Sequence, residues 1–236
     1  MNFGARLTAV AALVPAGTSL IDVGTDHAYL PVLLWQKKKL AKAIAADIAE
    51  GPCEAATRTV KSYGLTANIE IRRGDGLKVV KPGEVETAVL AGMGAATMLK
   101  ILEAAPELVQ RGAKQLRWLV LQPMSDSELI RHWAQTQGWA IVREDLVKEA
   151  GKIYEILLLT PQKAYKYPGA TFEVGAYLFA CKHPLLTEYL QLLIDKYGIL
   201  LKSMEKSKAA VHSEKYQAIL AKRKQLEVLY NENNSN

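Results

Sequence analysis

The stretch Ser19-Leu-Ile-Asp-Val-Gly-Thr-Asp-His-Ala-Tyr-Leu-Pro31 constrains the fold of this chain more than any other. Leu20, Ile21 and Val23 form a short apolar run with β-branched members, which suits a strand buried on both faces. Gly24 ends that run in a tight turn. Lacking a Cβ, it accepts a positive φ and lets a bulky ligand group lie against the peptide. Asp22 and Asp26 place a carboxylate on either side of the bend. Ala28, Tyr29, Leu30, Val32, Leu33, Leu34 and Trp35 then predict a helix packed back onto the sheet, with Pro31 in its first turn. Many doubly wound α/β proteins contain a strand, glycine turn and helix of this kind, with Asp26 merely capping the helix and His27 solvated, so the rest of the chain decides what the turn is for.

The same pattern recurs downstream. Asn2 to Val14 carries Leu7, Val10, Ala11 and Val14 at helical spacing and is broken by Pro15-Ala-Gly17. The Lys37-Lys38-Lys39 run with Lys42 reads as a solvated helix end. Ala43-Ile-Ala-Ala46 predicts a second buried strand with Asp47 at its carboxyl end, and a helix follows to Tyr63. Asn68 to Arg72 predicts a third strand, ending in Arg73-Gly74-Asp75-Gly76. Glu86 to Ala91 predicts a fourth, followed by Gly92-Met93-Gly94 and a helix from Ala95. Arg117 to Gln122 predicts a fifth, and a helix over 125–137 comes after it. Trp139 to Val142 and Ile153 to Leu159 predict a closing antiparallel pair around Glu149-Ala-Gly151-Lys152. The sum is an α/β, Rossmann-like, seven-stranded and mostly parallel sheet.

A boundary is expected at Pro161 to Pro168, giving domains 1–160 and 161–236. Beyond it, Phe172 to Cys181 suggests a helix. Leu186, Leu190, Leu193 and Tyr197 then continue through Leu201 and, after a break at His212-Ser213, through Ile219, Leu226 and Leu229, as in an antiparallel, coiled-coil-like helical pair.

Charge bears on partners. The formal net charge is +6 with a pI near 9.1. Residues 1–160 hold 19 basic and 17 acidic side chains (+2) and residues 161–236 hold 11 and 7 (+4), so the tail is the more basic part. Lys215, Lys222 and Arg223 are candidate phosphate contacts there, though acids interleave with them. Cys53 and Cys181 form neither a metal cluster nor a disulfide framework, so no metal and a reducing cytoplasm are expected. No apolar run approaches the roughly 18–20 residues of a membrane span.

Glycine turns after strands one, three and four, with acids after strands one to three, would line one edge of the sheet. Such a cleft suits a cationic nucleoside better than a pyrophosphate, because carboxylates repel phosphate and the first turn holds no Lys or Arg. S-adenosylmethionine fits that description. Candidate cofactor contacts are Asp22, Gly24, Thr25, Asp26, His27, Tyr29, Asp47, Asp75, Gly76, Gly92, Met93 and Gly94. Within that set, Asp47 is placed to take the ribose hydroxyls, with capping of the following helix as its alternative role, and Asp75 could accept from the adenine amine, although Gly-Asp-Gly is also a common turn. A nicotinamide dinucleotide is the competing ligand, but the first turn lacks G-x-G-x-x-G.

Several motifs together make the chain resemble the bacterial tRNA (adenine-22-N1)-methyltransferases, the TrmK family. They are Arg6-Leu7, Asp22-Val-Gly-Thr-Asp-His-Ala-Tyr-Leu-Pro31, Ala46-Asp47, Gly74-Asp-Gly-Leu77, Ala91-Gly-Met-Gly94 and Leu121-Gln-Pro123. The resemblance covers about residues 4 to 160 and, in character, the helical tail. Two positions depart from the family pattern: Ala95 stands in place of a third glycine and Met124 in place of an asparagine. The resemblance implies methyl transfer from S-adenosylmethionine to N1 of an adenine in the tRNA D-arm; a monomer or weak homo-oligomer is expected. Neutral adenine N1 carries no proton, so the reaction is chiefly positioning, with stabilisation of a ring that becomes cationic. Asp26 and Gln122 are the catalytic candidates and Arg6 joins the substrate contacts. A non-catalytic protein that keeps the cofactor pocket is the alternative from a different class.

Overall fold

The structure, a computed structural model, describes residues 3–110, 112, 115–162 and 172–234. The chain separates into two compact units, 1–167 and 168–236. Most of the expected boundary at Pro161 to Pro168 lies outside the described residues.

The first unit opens with helix α1 (Ala5–Leu13) and then alternates strand and helix: β1 (Thr18–Val23), α2 (Tyr29–Gln36), β2 (Leu40–Asp47), α3 (Glu50–Ser62), β3 (Ile69–Arg73), β4 (Thr87–Met93), α4 (Ala95–Glu103), α5 (Pro106–Val109), β5 (Trp118–Pro123), α6 (Ser127–Gln137), β6 (Ala140–Glu149) and β7 (Lys152–Thr160). The strands form a seven-stranded sheet in the order β3-β2-β1-β4-β5-β7-β6. The pairs from β3 to β5 are parallel and the two pairs made by β7 are antiparallel. Because alternate strand residues face opposite sides, Leu20, Ala43 and Ala45 pack with α1, α2 and α3, whereas Ile21, Ile44 and Ala46 pack with α4, α5 and α6. Strands covered on both faces explain the unbroken apolar runs in the sequence.

Three local features differ from expectation. β6 runs to Glu149 instead of stopping at Val142, because β7 supplies a ladder partner along its whole length. Its polar residues are accommodated by an ion cluster in which Arg131 bonds to Glu144 at 2.8 Å and to Glu155, all buried. Lys39 is not merely solvated: its Nζ donates to the carbonyls of Ala11, Ala12 and Val14 at 3.0–3.1 Å, closing the end of α1. Gly76–Val79 form a 3-10 turn that the sequence pattern did not suggest.

The second unit contains α7 (Ala176–Ala180), α8 (Leu186–Met204), α9 (Lys208–Val211) and α10 (Glu214–Asn234). The expected helix at Phe172 to Cys181 is only the five residues of α7. α8 and α10 run antiparallel: Asn233 donates to Thr187 at 2.9 Å near one end, and the Tyr216 hydroxyl donates to Glu205 at 3.2 Å near the other. Among the described residues no helix is long and apolar enough to cross a membrane.

Candidate cofactor cleft

A cavity of about 450 Å³ opens at the carboxyl ends of β1, β2 and β4. That is where a doubly wound sheet leaves a crevice, since the crossover helices leave in opposite directions from β1 and β4. Of the residues expected from the sequence, Gly24, Asp47, Asp75, Gly76 and Met93 line it. Val23, Ala46 and Gly74 also line it. Ile48, the α4 residues Thr97, Lys100 and Ile101, and Ala104 at the C-cap of that helix complete the wall. The sequence reading missed these. The signal for the α4 set was present, because 97, 100, 101 and 104 follow the i, i+3, i+4, i+7 spacing of one helix face. Ile48 next to Asp47 is 67% exposed, which its apolar character alone does not explain.

The β1 turn is built locally. Gly24 has φ of +75°, and its amide and that of Thr25 both donate to the Ala46 carbonyl, at 2.9 and 3.1 Å. A Cβ at Gly24 would stand 3.0 Å from Met93 Cε. Thr25 Oγ1 donates to Asp22 Oδ2 at 2.7 Å. Burial pushes the Asp22 carboxyl up to about 6, against the pull of that hydrogen bond, and the nearby Asp47 charge adds to the rise. Asp26 and Ala28 also adopt positive φ, 48° and 55°. This strained bend turns the Asp26 side chain outward, 74% exposed, with Oδ2 3.6 Å from His27 Nε2. His27 stacks on Tyr29 with ring centroids 5.1 Å apart. Asp26, His27 and Tyr29 are not part of the cavity wall.

β2 and β3 supply two more acids. Asp47 Oδ1 accepts the Ala49 amide at 2.8 Å, while its carbonyl accepts the Gly74 amide at 2.9 Å, tying the two strand ends together. The Asp75 carboxylate is paired with Lys78 Nζ at 2.6 Å.

The end of β4 is held from a distance. A bulge falls between Ala91 and Met93, and Gly92 at its centre has φ of +79°. The Gly92 amide donates to Gln122 Oε1 at 3.1 Å. The same oxygen accepts from Arg6 Nη1 at 2.5 Å, and Gln122 Nε2 donates to the Pro123 carbonyl at 2.9 Å. Gln122 is 0% exposed. Its amide is fully engaged inside the protein, so it has no face for a substrate base, contrary to the role expected of it. Arg6 is likewise engaged, by Gln122, by Glu149 and by the Tyr154 ring. Gly94 serves as the N-cap of α4, and Met124 is 46% exposed beside the turn.

In the second unit Lys215 is exposed. Lys222 reaches the buried Glu173 carboxylate at 2.6 Å, and Arg223 Nε lies 3.1 Å from Glu227.

A β3-β2-β1-β4-β5-β7-β6 sheet with an antiparallel seventh strand, and a β1 turn that lacks G-x-G-x-x-G, defines a Rossmann-like methyltransferase. A methyltransferase-domain family model matches residues 3–157. The tRNA (adenine(22)-N(1))-methyltransferase of Bacillus subtilis (strain 168) is 38% identical over 176 residues, covering 74% of this chain and 72% of its own. The crystal structure of the B. subtilis m1A22 tRNA methyltransferase TrmK superposes with a TM-score of 0.83 at 29% identity, over 97% of this chain and 98% of that one. A Streptococcus pneumoniae protein solved in complex with S-adenosyl-L-methionine superposes at 0.80 with 30% identity, over 95% and 98%. The chain belongs to the TrmK family of bacterial tRNA (adenine-22-N1)-methyltransferases.

Proposed function

We propose that this protein transfers a methyl group from S-adenosylmethionine to N1 of adenine 22 in tRNA. The observation that carries the reading is the acid-bearing, glycine-edged cavity at the carboxyl ends of β1, β2 and β4. At about 450 Å³ it falls within the range of roughly 300–1,000 Å³ common for small-ligand sites. Its wall carries Asp47 and Asp75 against Lys100, with Lys78 paired to Asp75, and the buried Asp22 immediately precedes the wall residue Val23, so three acids stand against two lysines, a balance that favours a cationic ligand.

When bound, the cofactor supplies an electrophilic methyl group on a positively charged sulfur. Asp47 would take the ribose hydroxyls, Asp75 the adenine amine, and the bare backbone of Gly24 would allow close approach. On the acceptor side the N1 lone pair is free in neutral adenine, so the protein needs no base to start the reaction. What it supplies is an exposed adenine edge held in line, and acceptor groups near the exocyclic amine as the ring gains positive charge. Asp26, exposed beside the turn and adjacent to His27, is the residue assigned that task. The second unit would support the tRNA, with the exposed Lys215 among its phosphate contacts. A cytoplasmic setting follows from the substrate.

The full chain, incubated with labelled S-adenosylmethionine and a tRNA transcript, should yield 1-methyladenosine after digestion. A transcript with guanosine at position 22 should yield none, and label at any other base would refute the assignment. Asp47→Ala should weaken cofactor binding by roughly 10- to 100-fold, the loss expected for hydrogen bonds to a charged group, while the protein still melts cooperatively. Unchanged calorimetric affinity would remove Asp47 from the site.

A further inference from the structure

The strongest feature outside the cavity is the chain of contacts joining the start of α1, the end of β5, the β6–β7 hairpin and the β4 bulge. We propose that Arg6 is a positioning residue for methyl transfer, which fixes the Gly92 bulge through the Gln122 side chain and is itself held by Glu149. The proposal rests on the methyltransferase reading above and extends it to residues that touch neither cofactor nor base.

Hydrogen-bond polarity selects one orientation of the Gln122 amide. A buried glutamine amide can sit in either of two flipped orientations, and only its partners choose between them. Here the oxygen faces two donors, Arg6 Nη1 at 2.5 Å and the Gly92 amide at 3.1 Å, while the nitrogen faces the Pro123 carbonyl. A guanidinium donates and never accepts, so Arg6 makes the flipped amide costly: it would set donor against donor at a site 0% exposed. The orientation that Arg6 enforces is the one that captures the Gly92 amide. That amide lies at a bulge, where the β5 ladder gives it no regular partner.

Arg6 is anchored from behind. Its backbone amide, one of the unpaired donors at the start of α1, bonds to Glu149 Oε1 at 3.1 Å, and Nε lies 3.7 Å from Glu149 Oε2. Its guanidinium carbon sits 5.7 Å from the centre of the Tyr154 ring. Glu149 comes so close to Gly4 that a Cβ there would be 2.6 Å from Oε1. Glycine at position 4 thus admits the carboxylate that caps α1, a helix whose own N-cap offers no side-chain acceptor. Downstream, the Met93 carbonyl accepts the Met124 amide at 3.0 Å and Met93 lines the cavity, so the bulge sets part of the cavity wall.

The test compares Arg6→Met and Glu149→Gln with the wild type in the full chain. Arg6→Met should lower kcat by about 10- to 100-fold, the scale of a misplaced reacting geometry, with cofactor Kd and tRNA KM within about twofold. Glu149→Gln should show a smaller loss, and Arg6→Lys, which keeps a donor for Gln122, should recover part of the Arg6→Met loss. Hydrogen exchange over residues 91–94 should speed up in the same order, whether or not substrate is present. Normal kcat with unchanged exchange overturns the proposal. So does a raised tRNA KM with a salt slope reduced by about one, which marks Arg6 as a phosphate contact. If the wild type makes no methylated adenine, the functional reading fails while the exchange data still judge the clamp. If Arg6→Met does not fold, Glu149→Gln and Arg6→Lys carry the test.

Discussion

The glycine turns after β1 and β4 point at one cleft from adjacent strands, yet they are held in opposite ways. Gly24 and Thr25 bond to Ala46 in the neighbouring strand, and Thr25 bonds to Asp22 three residues back. Gly92 is held by a side chain 30 residues away, which an arginine 116 residues from that glutamine keeps oriented. The first turn carries a buried ionisable group and the second a buried neutral amide. A short motif can encode the first arrangement. The second exists only after the whole sheet has assembled, so the two turns should respond differently to acid, to added side-chain bulk and to loss of surface charge.

Acid should separate them most. The Asp22 carboxyl is raised from 3.8 to about 6. The native state therefore holds its proton more tightly than the unfolded chain does. The stabilisation from the protonated form is complete below the unfolded value near 3.8 and is lost as pH rises through about 6. Asp22→Asn should abolish that dependence, raising stability at pH 7 by on the order of 2–3 kcal/mol and leaving it unchanged near pH 3.5. Denaturant melts of both proteins across pH 3.5–7.5 measure the difference, and parallel curves would mean that Asp22 ionises normally. The same variant should bind S-adenosylmethionine more weakly.

Bulk comes second. Gly24→Ala and Gly92→Ala each force an L side chain into positive φ, at about 1–2 kcal/mol apiece, or a few degrees in Tm for a chain of this size. Their functional signatures should split. The new Cβ at Gly24 presses on Met93 at 3.0 Å, inside the cofactor cavity, and should raise the cofactor Kd. The new Cβ at Gly92 meets Arg6 Nη1 at 3.3 Å and should lower kcat with the cofactor Kd nearly unchanged. Identical profiles for the two variants would collapse the distinction between the turns.

The smallest effect is expected at Lys78. Its pair with Asp75 is half exposed, and such pairs contribute only about 0.3–0.5 kcal/mol. Lys78→Ala should leave Tm almost unchanged and improve cofactor affinity about twofold by freeing the Asp75 carboxylate. A clear loss of affinity would instead give Lys78 a direct role at the cavity.

The stretch from Ser19 to Pro31 was legible because its information is local. An apolar run and a bare glycine specify a strand and a bend whatever lies elsewhere. The same holds for Asp47 at the end of β2 and for the order of strands and helices. Gln122 and Arg6 read as ligand contacts in the sequence, whereas the structure pairs them with each other. A glutamine at a strand end reads alike whether it faces a ligand or an arginine from the chain's first helix. The full length of β6 was hidden because polar residues such as Glu144 become buried only when Arg131 arrives from α6 to neutralise them.

By itself the sequence determined the sheet, the place of the cleft along it and the acids that rim it, since each follows from periodicity and turn chemistry within a few residues. The tertiary structure alone decided which polar groups remain free to meet a ligand and which are used up within the protein. The physical reason is saturation: a buried donor or acceptor must find a partner, and that partner can come from any part of the chain the fold brings near.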